Sequence, residues 1–184
     1  MDRDPILQGE LVRLRPLELS DAESLHEIYR EPQTMRYYGK PVCATLDDTR
    51  RLIGQMLQGQ ANGSGVRWAI LQHTDSIVVG SIGFHGWDRD RGFAFFSYEI
   101  VPQHRGKHLS VDAGRVALAL GASTMGLRRI LAVIDADNLA SVATAKRLGF
   151  ALESGLDPLR STDDLNRCTF SLSVAANAIP VLEF

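Results

Sequence analysis

One stretch limits the fold more than any other. Phe93 to Val101 is a mostly apolar run that stops at Pro102, passes through the basic turn Gln103-His104-Arg105-Gly106-Lys107-His108, and enters a segment, Val111 to Leu120, with helical spacing of apolar residues. A second apolar run, Arg129 to Ile134, follows. Strand, helix and strand within about 40 residues form a βαβ unit, which predicts two parallel strands joined right-handedly. A strand feeding through a basic glycine turn into a helix also gathers unpaired N–H groups and the positive end of a helix dipole, which makes an anion site.

The rest of the chain supplies what must pack around this unit. Leu11 to Leu17 alternates apolar and basic residues, the pattern of a half-buried strand ended by Pro16, with Arg13 and Arg15 on its solvent face. Ser20-Asp21-Ala22-Glu23 reads as a capping box ahead of a helix with Ala22, Leu25, Ile28 and Tyr29 on one stripe, and Pro32 ends that helix or starts a short second turn. Met35 to Pro41 reads as a loop, in which Tyr37 and Tyr38 either cover the core or contact substrate. Thr45-Leu46-Asp47-Asp48 caps a helix that buries Leu52, Ile53, Met56 and Leu57 and closes at Asn62 to Gly65.

Val66 to Leu71 and Ile77 to Phe84 are strands around a turn at His73 to Ser76, and Gly80 and Gly83 predict a bulge or a close backbone approach. His85, at the end of the second strand, is structural or solvent-facing in one reading and a substrate contact in the other. A charged connection, Trp87 to Gly92, leads to the third strand. The helix after the basic turn is expected from Ser110 to about Met125, with Gly126 as its C-cap, and Arg129 to Ile134 as a strand covered on both faces. Asp135 to Asn138 opens a helix carrying Val142, Ala145 and Leu148. Gly149 ends it and Phe150 starts a strand. Asp157 to Asn166 reads as a polar loop and Arg167 to Val174 as the last strand. The apolar tail, Ala175 to Phe184, either packs on its own domain or reaches a partner subunit in a homodimer.

Composition excludes several classes. A chain of 184 residues suits one domain, residues 1–184, with a core from about residue 10 to 175. A net charge of -2 argues against a dedicated nucleic-acid binder. Cys43 and Cys168 have neither CxxC spacing nor histidine neighbours, so two reduced thiols and no metal site are expected. Met1 to Pro5 lacks a signal-peptide pattern and no apolar run approaches a membrane span, so a cytoplasmic protein without membrane contact is expected. The turn lacks the Gly-x-x-x-x-Gly-Lys-Ser/Thr pattern of nucleoside-triphosphate enzymes.

The ordered features resemble the GNAT superfamily of N-acetyltransferases, in the RimJ/RimL-like branch of ribosomal-protein N-terminal acetyltransferases. Leu11 to Leu17 with Asp21-Ala22 is similar to that branch's opening strand and helix. Gln103 to His108 is similar to the acetyl-CoA loop, [QR]xxGx[GA]. Asn138-Leu139-Ala140-Ser141 with Lys146-Arg147-Leu148-Gly149-Phe150 is similar to the N-x-x-S…K-x-G-F helix and strand start. Two residues depart from the pattern. His108 stands where the family prefers Gly or Ala, and Ala145 stands where many members place a tyrosine acid. Histidine tolerates positive φ better than most residues, though less freely than glycine.

The resemblance implies an α+β fold: a mixed, mostly antiparallel central sheet with one splayed parallel pair and helices on both faces. It implies acetyl-CoA between the splayed strands. Backbone groups of Glu99, Ile100 and Val101 would be unpaired there and would bind the pantetheine arm. N–H groups from Arg105, Gly106, Lys107, His108, Leu109 and Ser110 would cradle the pyrophosphate, with charge from Arg105 and Lys107. Asn138 would cap the next helix and hold the cofactor arm, and Ser141 would lie near the thioester sulfur as general acid, unless its hydroxyl is satisfied within the helix. Glu99 is the candidate base, or else a surface strand residue. The expected activity is acetyl transfer by direct attack of a primary amine, on a protein N-terminus or a small molecule, in a ternary complex. A non-catalytic acyl-CoA-binding module of the same fold is the alternative that His108 and Ala145 leave open.

Overall fold

The computed structural model describes residues 7–153 and 167–174. Two short strands open the chain, β1 (Leu7–Gln8) and β2 (Val12–Pro16). Val12 and Leu14 of β2 are buried, as the alternation requires, but Arg13 and Arg15 are half-buried rather than solvent-facing. Arg13 donates to the Ser76 hydroxyl, and for Arg15 the reason is Asp21. Its carboxylate takes the Arg15 guanidinium at 2.8 Å and also accepts the N–H of Glu18 at 2.8 Å. The turn into α1 (Ala22–Tyr29) is therefore capped around Glu18 and Asp21, and Ser20, the expected cap, only donates to the Glu18 carboxylate. Ala22, Leu25, Ile28 and Tyr29 form the buried stripe.

The expected loop from Met35 to Pro41 is corrected. Pro32 occupies the first position of a second helix, α2 (Pro32–Tyr38), where its missing N–H costs nothing. This helix buries Met35 and ends at Gly39, which adopts φ +69°. Thr45 and Asp48 then cap α3 (Leu46–Ala61) reciprocally. β3 (Gly65–Gln72) and β4 (Val78–Asp88) form an antiparallel pair with a register shift between Ile70 and Leu71, opposite Gly80. β4 runs past Phe84, so His85 is a strand residue and the charged connection shrinks to a tight turn.

β5 (Phe93–Ile100) is followed by a 3₁₀ turn at Pro102–His104 and by α4 (Leu109–Ser123), two residues shorter than expected at its end. Thr124 is the C-cap of α4, and Gly126 adopts φ +64° two residues later. β6 (Arg129–Asp135), α5 (Leu139–Arg147), β7 (Ala151–Leu152) and β8 (Arg167–Ser173) complete the described chain. The expected loop at 157–166 and the tail at 175–184 lie outside the described residues.

The strands of the described residues form one eight-stranded sheet in the order β1-β2-β3-β4-β5-β6-β8-β7. β5 and β6 are its parallel pair and the other neighbours are antiparallel. One face, built from residues such as Leu14, Trp68, Ile82, Phe84, Phe96 and Ile130, packs on α4 and α5. The other face packs on α1, α2 and α3 around Leu25, Ile28, Tyr29 and Ile53. The parallel pair is short. Phe93, Ala94 and Phe95 pair with Arg129, Ile130 and Leu131, and there the pairing stops. Val133, expected to be covered on both faces, is 44% exposed because β5 has already parted from β6.

Asp112, in the first turn of α4, fixes this helix to the start of the sheet. Its carboxylate accepts the N–H groups of Glu10, Leu11 and Val12 at 3.1, 2.8 and 3.1 Å and is itself buried. A carboxylate is also favoured at a helix N-terminus. Asp112→Ala removes the acceptor of all three bonds, and urea unfolding should show a loss of about 2–4 kcal/mol. Asp112→Asn, which keeps an acceptor oxygen, should lose less than half of that.

Candidate active site

Where β5 and β6 separate, a cleft of about 610 Å³ opens. Its walls are the parted ends of the two strands, the turn from His104 to Ser110, the exposed side of α5, and α2 across one end. Glu99, Ile100, Arg105, Gly106, Lys107, His108, Leu109, Ser110, Asn138, Ser141, Tyr37 and Tyr38 all line it. Val101 and His85 do not.

The turn before α4 has the geometry of an anion cradle. Gly106 adopts φ +76° and His108 φ +61°. An added Cβ on Gly106 would meet nothing within 4 Å, so conformation rather than crowding selects glycine there. His108 is the N-cap residue of α4 and accepts the N–H groups of Val111 and Asp112 at its carbonyl. The N–H groups of Gly106 to Ser110 have no protein acceptor among the described residues. Arg105 differs from its expected role on both counts. Its N–H is spent on Pro102. Its guanidinium donates to the Ile100 carbonyl at 3.1 Å, to Glu31 at 2.8 Å and to Thr34 at 2.6 Å, so it ties α2 to the turn. The other end of α2 is tied down by Arg36 on Asp137 at 2.7 Å. A basic residue that sequence reading passed over, Arg147 at the end of α5, also lines the cleft and approaches His108 Nδ1 at 3.2 Å.

On β5, Val101 is corrected. Its N–H donates to the Val79 oxygen at 2.8 Å, and its side chain belongs to the core under α1 to α3. Successive N–H groups of a strand point to opposite sides, so the amide of Ile100 faces the gap. Across that gap, Asn138 Oδ1 accepts the Ser141 N–H at 3.2 Å and caps α5. Thr144 donates its hydroxyl to the carbonyl four residues back, at 3.0 Å. Ser141 makes no such bond among the described residues, so its hydroxyl is available to the cleft. Tyr98 is a second hydroxyl on the cleft wall, hidden from sequence reading inside an apolar strand.

The α1–α3 face of the sheet carries a buried polar cluster beside the cleft. The register sets Ala69 opposite Ser81, Arg67 and Ser97 opposite Gly83, and Ser81 opposite Glu99, so Arg67, Ser81, Ser97 and Glu99 share one face. Glu99, a candidate surface residue in the sequence, is 6% exposed and ion-paired with Arg67, which is 7% exposed. Ser81 Oγ donates to Glu99 Oε2 at 3.0 Å and accepts from Arg67 Nε at 3.1 Å, while Arg67 Nη1 reaches Ser97 Oγ at 2.9 Å. Glu99 Oε1 is buried and has no hydrogen-bond partner among the described residues. Tyr29 Oη lies 3.4 Å from Ser81 Oγ. Burial, followed by the Glu99 charge, raises the pKa of both Tyr29 and Tyr38 above the ordinary phenol value. His85 lies farther along the same face, exposed and stacked on Phe95 with ring centroids 5.5 Å apart.

Among the described residues no cluster of His, Cys, Asp and Glu could hold a metal ion, and no helix is long and apolar enough to cross a membrane. A family model described as an acetyltransferase (GNAT) domain matches residues 12–151. The chain is 29% identical over 152 residues to the uncharacterized N-acetyltransferase YoaA of Bacillus subtilis, covering 83% of this chain and 86% of that one. It is 23% identical over 145 residues to the spermidine N(1)-acetyltransferase of Escherichia coli K12, covering 79% and 75%. In structure it is similar to RimL, a ribosomal L7/L12 alpha-N-protein acetyltransferase solved with coenzyme A. The TM-score is 0.80 at 17% identity, over 94% of this chain and 100% of that one.

The two raised phenols give a titration test. Tyr29 and Tyr38 hold their protons in the folded protein above the value near 10 at which an unfolded chain releases them. Stability should therefore fall as pH rises past about 10. Ultraviolet titration of the native protein should show both phenols absent from the ordinary transition. Tyr38→Phe should leave that transition unchanged.

Proposed function

The chain belongs to the GNAT acetyltransferase family, and on that premise we propose that it transfers an acetyl group from acetyl-CoA to a weakly basic primary amine bound beside Glu99, by direct attack in a ternary complex. The early end of β5–β6 pairing carries this reading. It leaves a cleft with unpaired N–H groups at one end and an unpartnered carboxylate oxygen in its wall.

The residues fit coenzyme A. The free N–H groups of Gly106 to Ser110, at the positive end of α4, suit a pyrophosphate, and Lys107 adds charge. A dipole contributes only about 0.3–1 kcal/mol at an exposed site, so the N–H bonds carry most of the anion affinity. Bound acetyl-CoA supplies an acetyl group activated as a thioester. The Ile100 N–H is the donor aimed at the gap where a thioester oxygen would lie. Asn138 holds the first turn of α5 in place, and Ser141 Oγ is the proton donor for the departing sulfur.

The acceptor is inferred from charge. An α-amine, with pKa near 8, is neutral in about a tenth or more of molecules at neutral pH, whereas a lysine-type amine near 10.4 is almost wholly protonated. Glu99 is paired with an arginine and placed to accept an N–H of a neutral amine and pass its proton to water. Among the described residues, the other carboxylates lining the cleft are already matched to cations: Asp135 to Arg167 and Asp137 to Arg36. A polyamine needs further carboxylates for its distal ammonium groups. The reading therefore favours a monoamine, with a protein N-terminus as one such acceptor.

Free-thiol release from acetyl-CoA, followed across peptides with free α-amines, small monoamines, spermidine and lysine, tests the proposal. Peptide or monoamine acceptors should exceed spermidine and lysine at least tenfold in kcat/KM. Tight acetyl-CoA binding with no release for any amine would overturn it in favour of a non-catalytic acyl-CoA-binding module. Gly106→Val, strained at φ +76°, should weaken acetyl-CoA tenfold or more by calorimetry without changing the fold. Ser141→Ala should lower kcat while leaving acetyl-CoA affinity within a factor of two.

A further inference from the structure

We infer that Arg67 is a positioning residue for acyl transfer: it pairs with Glu99, occupies Oε2, and leaves Oε1 as the acceptor for an N–H of the incoming amine. The inference rests on the reading that Glu99 meets the amine.

Arg67 lies in the middle of β3, on a sheet face otherwise covered by α1, α2 and α3, and is 7% exposed. Arginine is almost never buried at such a place without full pairing. Its donors here are directed at three side chains, Glu99, Ser81 and Ser97. These bonds fix the guanidinium plane, and Ser81, donating to the same Oε2, fixes the carboxylate from the other side. Oε2 thus receives two donors and Oε1 none. A buried anionic oxygen without a donor is costly unless a ligand or water supplies one. Glu99 forms part of the cleft wall, so the missing donor can come from the cleft side.

The other ionisable groups around the pair do not replace Arg67. Tyr29 faces it from α1 and Tyr38 from α2, and burial together with Glu99 keeps both phenols protonated. Cys43 adds to the raised value of Tyr38, and Lys40 and His85 lie farther out on the same face. Ser81 and Ser97 carry no charge. Burial works against the guanidinium charge, but Glu99 and the two tyrosines outweigh it, so Arg67 stays a cation. Without the Arg67 donors, Oε2 keeps only the Ser81 hydroxyl, and the carboxylate is no longer held with Oε1 toward the amine.

This predicts a loss confined to the amine. For Arg67→Met, kcat/KM for the amine should fall at least tenfold at about pH 7. Arg67→Lys keeps the charge but reaches fewer partners, and should recover part of that loss. Acetyl-CoA affinity, read by calorimetry, should be unchanged in both. An Arg67→Met enzyme that loses acetyl-CoA affinity along with rate would reduce Arg67 to a structural role and overturn the inference, as would one that keeps the wild-type rate. A Glu99→Gln enzyme with full activity would instead overturn the reading on which it rests, so the two failures are distinguishable. If Arg67→Met does not fold, Arg67→Lys decides: an unchanged kcat/KM for the amine overturns the inference.

Discussion

Parallel strands share evenly spaced hydrogen bonds, and nothing in β5 or β6 alone requires those bonds to stop after Phe95 and Leu131. What stops them is the demand placed on the following residues from either side. β5 stays bonded to β4 as far as Ile100, with Val101 donating to Val79, while β6 stays bonded to β8 through Asp135. Each strand follows its antiparallel partner, and the twist of the sheet carries the two apart. The gap leaves Ile100 with an unspent N–H, exposes Val133 in the middle of a sheet, and lets α5 present Ser141 to the same space. The proposed binding and chemistry both depend on this one interruption.

The two faces of the sheet divide the work around it. The α4–α5 face is apolar and closely packed, and it anchors the helix whose N-terminus carries the free N–H groups of the proposed anion cradle. Asp112 extends that anchoring to the first strands. The opposite face carries Arg67, Ser81, Ser97 and Glu99 under α1 to α3. A buried ion pair seldom stabilises a fold more than well-packed apolar residues would. Its presence next to the cleft is better explained by chemistry than by stability. α2 closes the arrangement, held to the cradle through Arg105 and to the β6–α5 turn through Arg36.

Much of this was legible in local sequence. The period of Leu11 to Leu17, the Thr45–Asp48 cap, the turn at Gly106 and the Asn138 cap each follow from neighbours a few residues apart, and each is found in the structure. The parallel pair followed from the order of elements, and the mixed sheet from the family resemblance. The misreadings have a common cause in partners distant in sequence or in a choice between two local options. Pro32 was compatible with ending a helix or starting one, and burial of Met35 decided for the start. Ser20 lost the cap to Asp21 because Arg15 holds Asp21 in place. Arg105 was drawn from the expected anion site by Glu31 and Thr34. The pairing of Arg67 with Glu99 depends on strand register across β3, β4 and β5, which no local pattern displays.

The central claim is that the parted ends of β5 and β6, with the turn before α4, receive acetyl-CoA. Amide NMR during an acetyl-CoA titration tests it directly. The N–H signals of Ile100, Gly106, Lys107, Leu109 and Ser110 should shift downfield, with the spent amides of Val101 and Arg105 moving far less. Large shifts at Val101, or none at Ile100 when acetyl-CoA is saturating, would contradict the account.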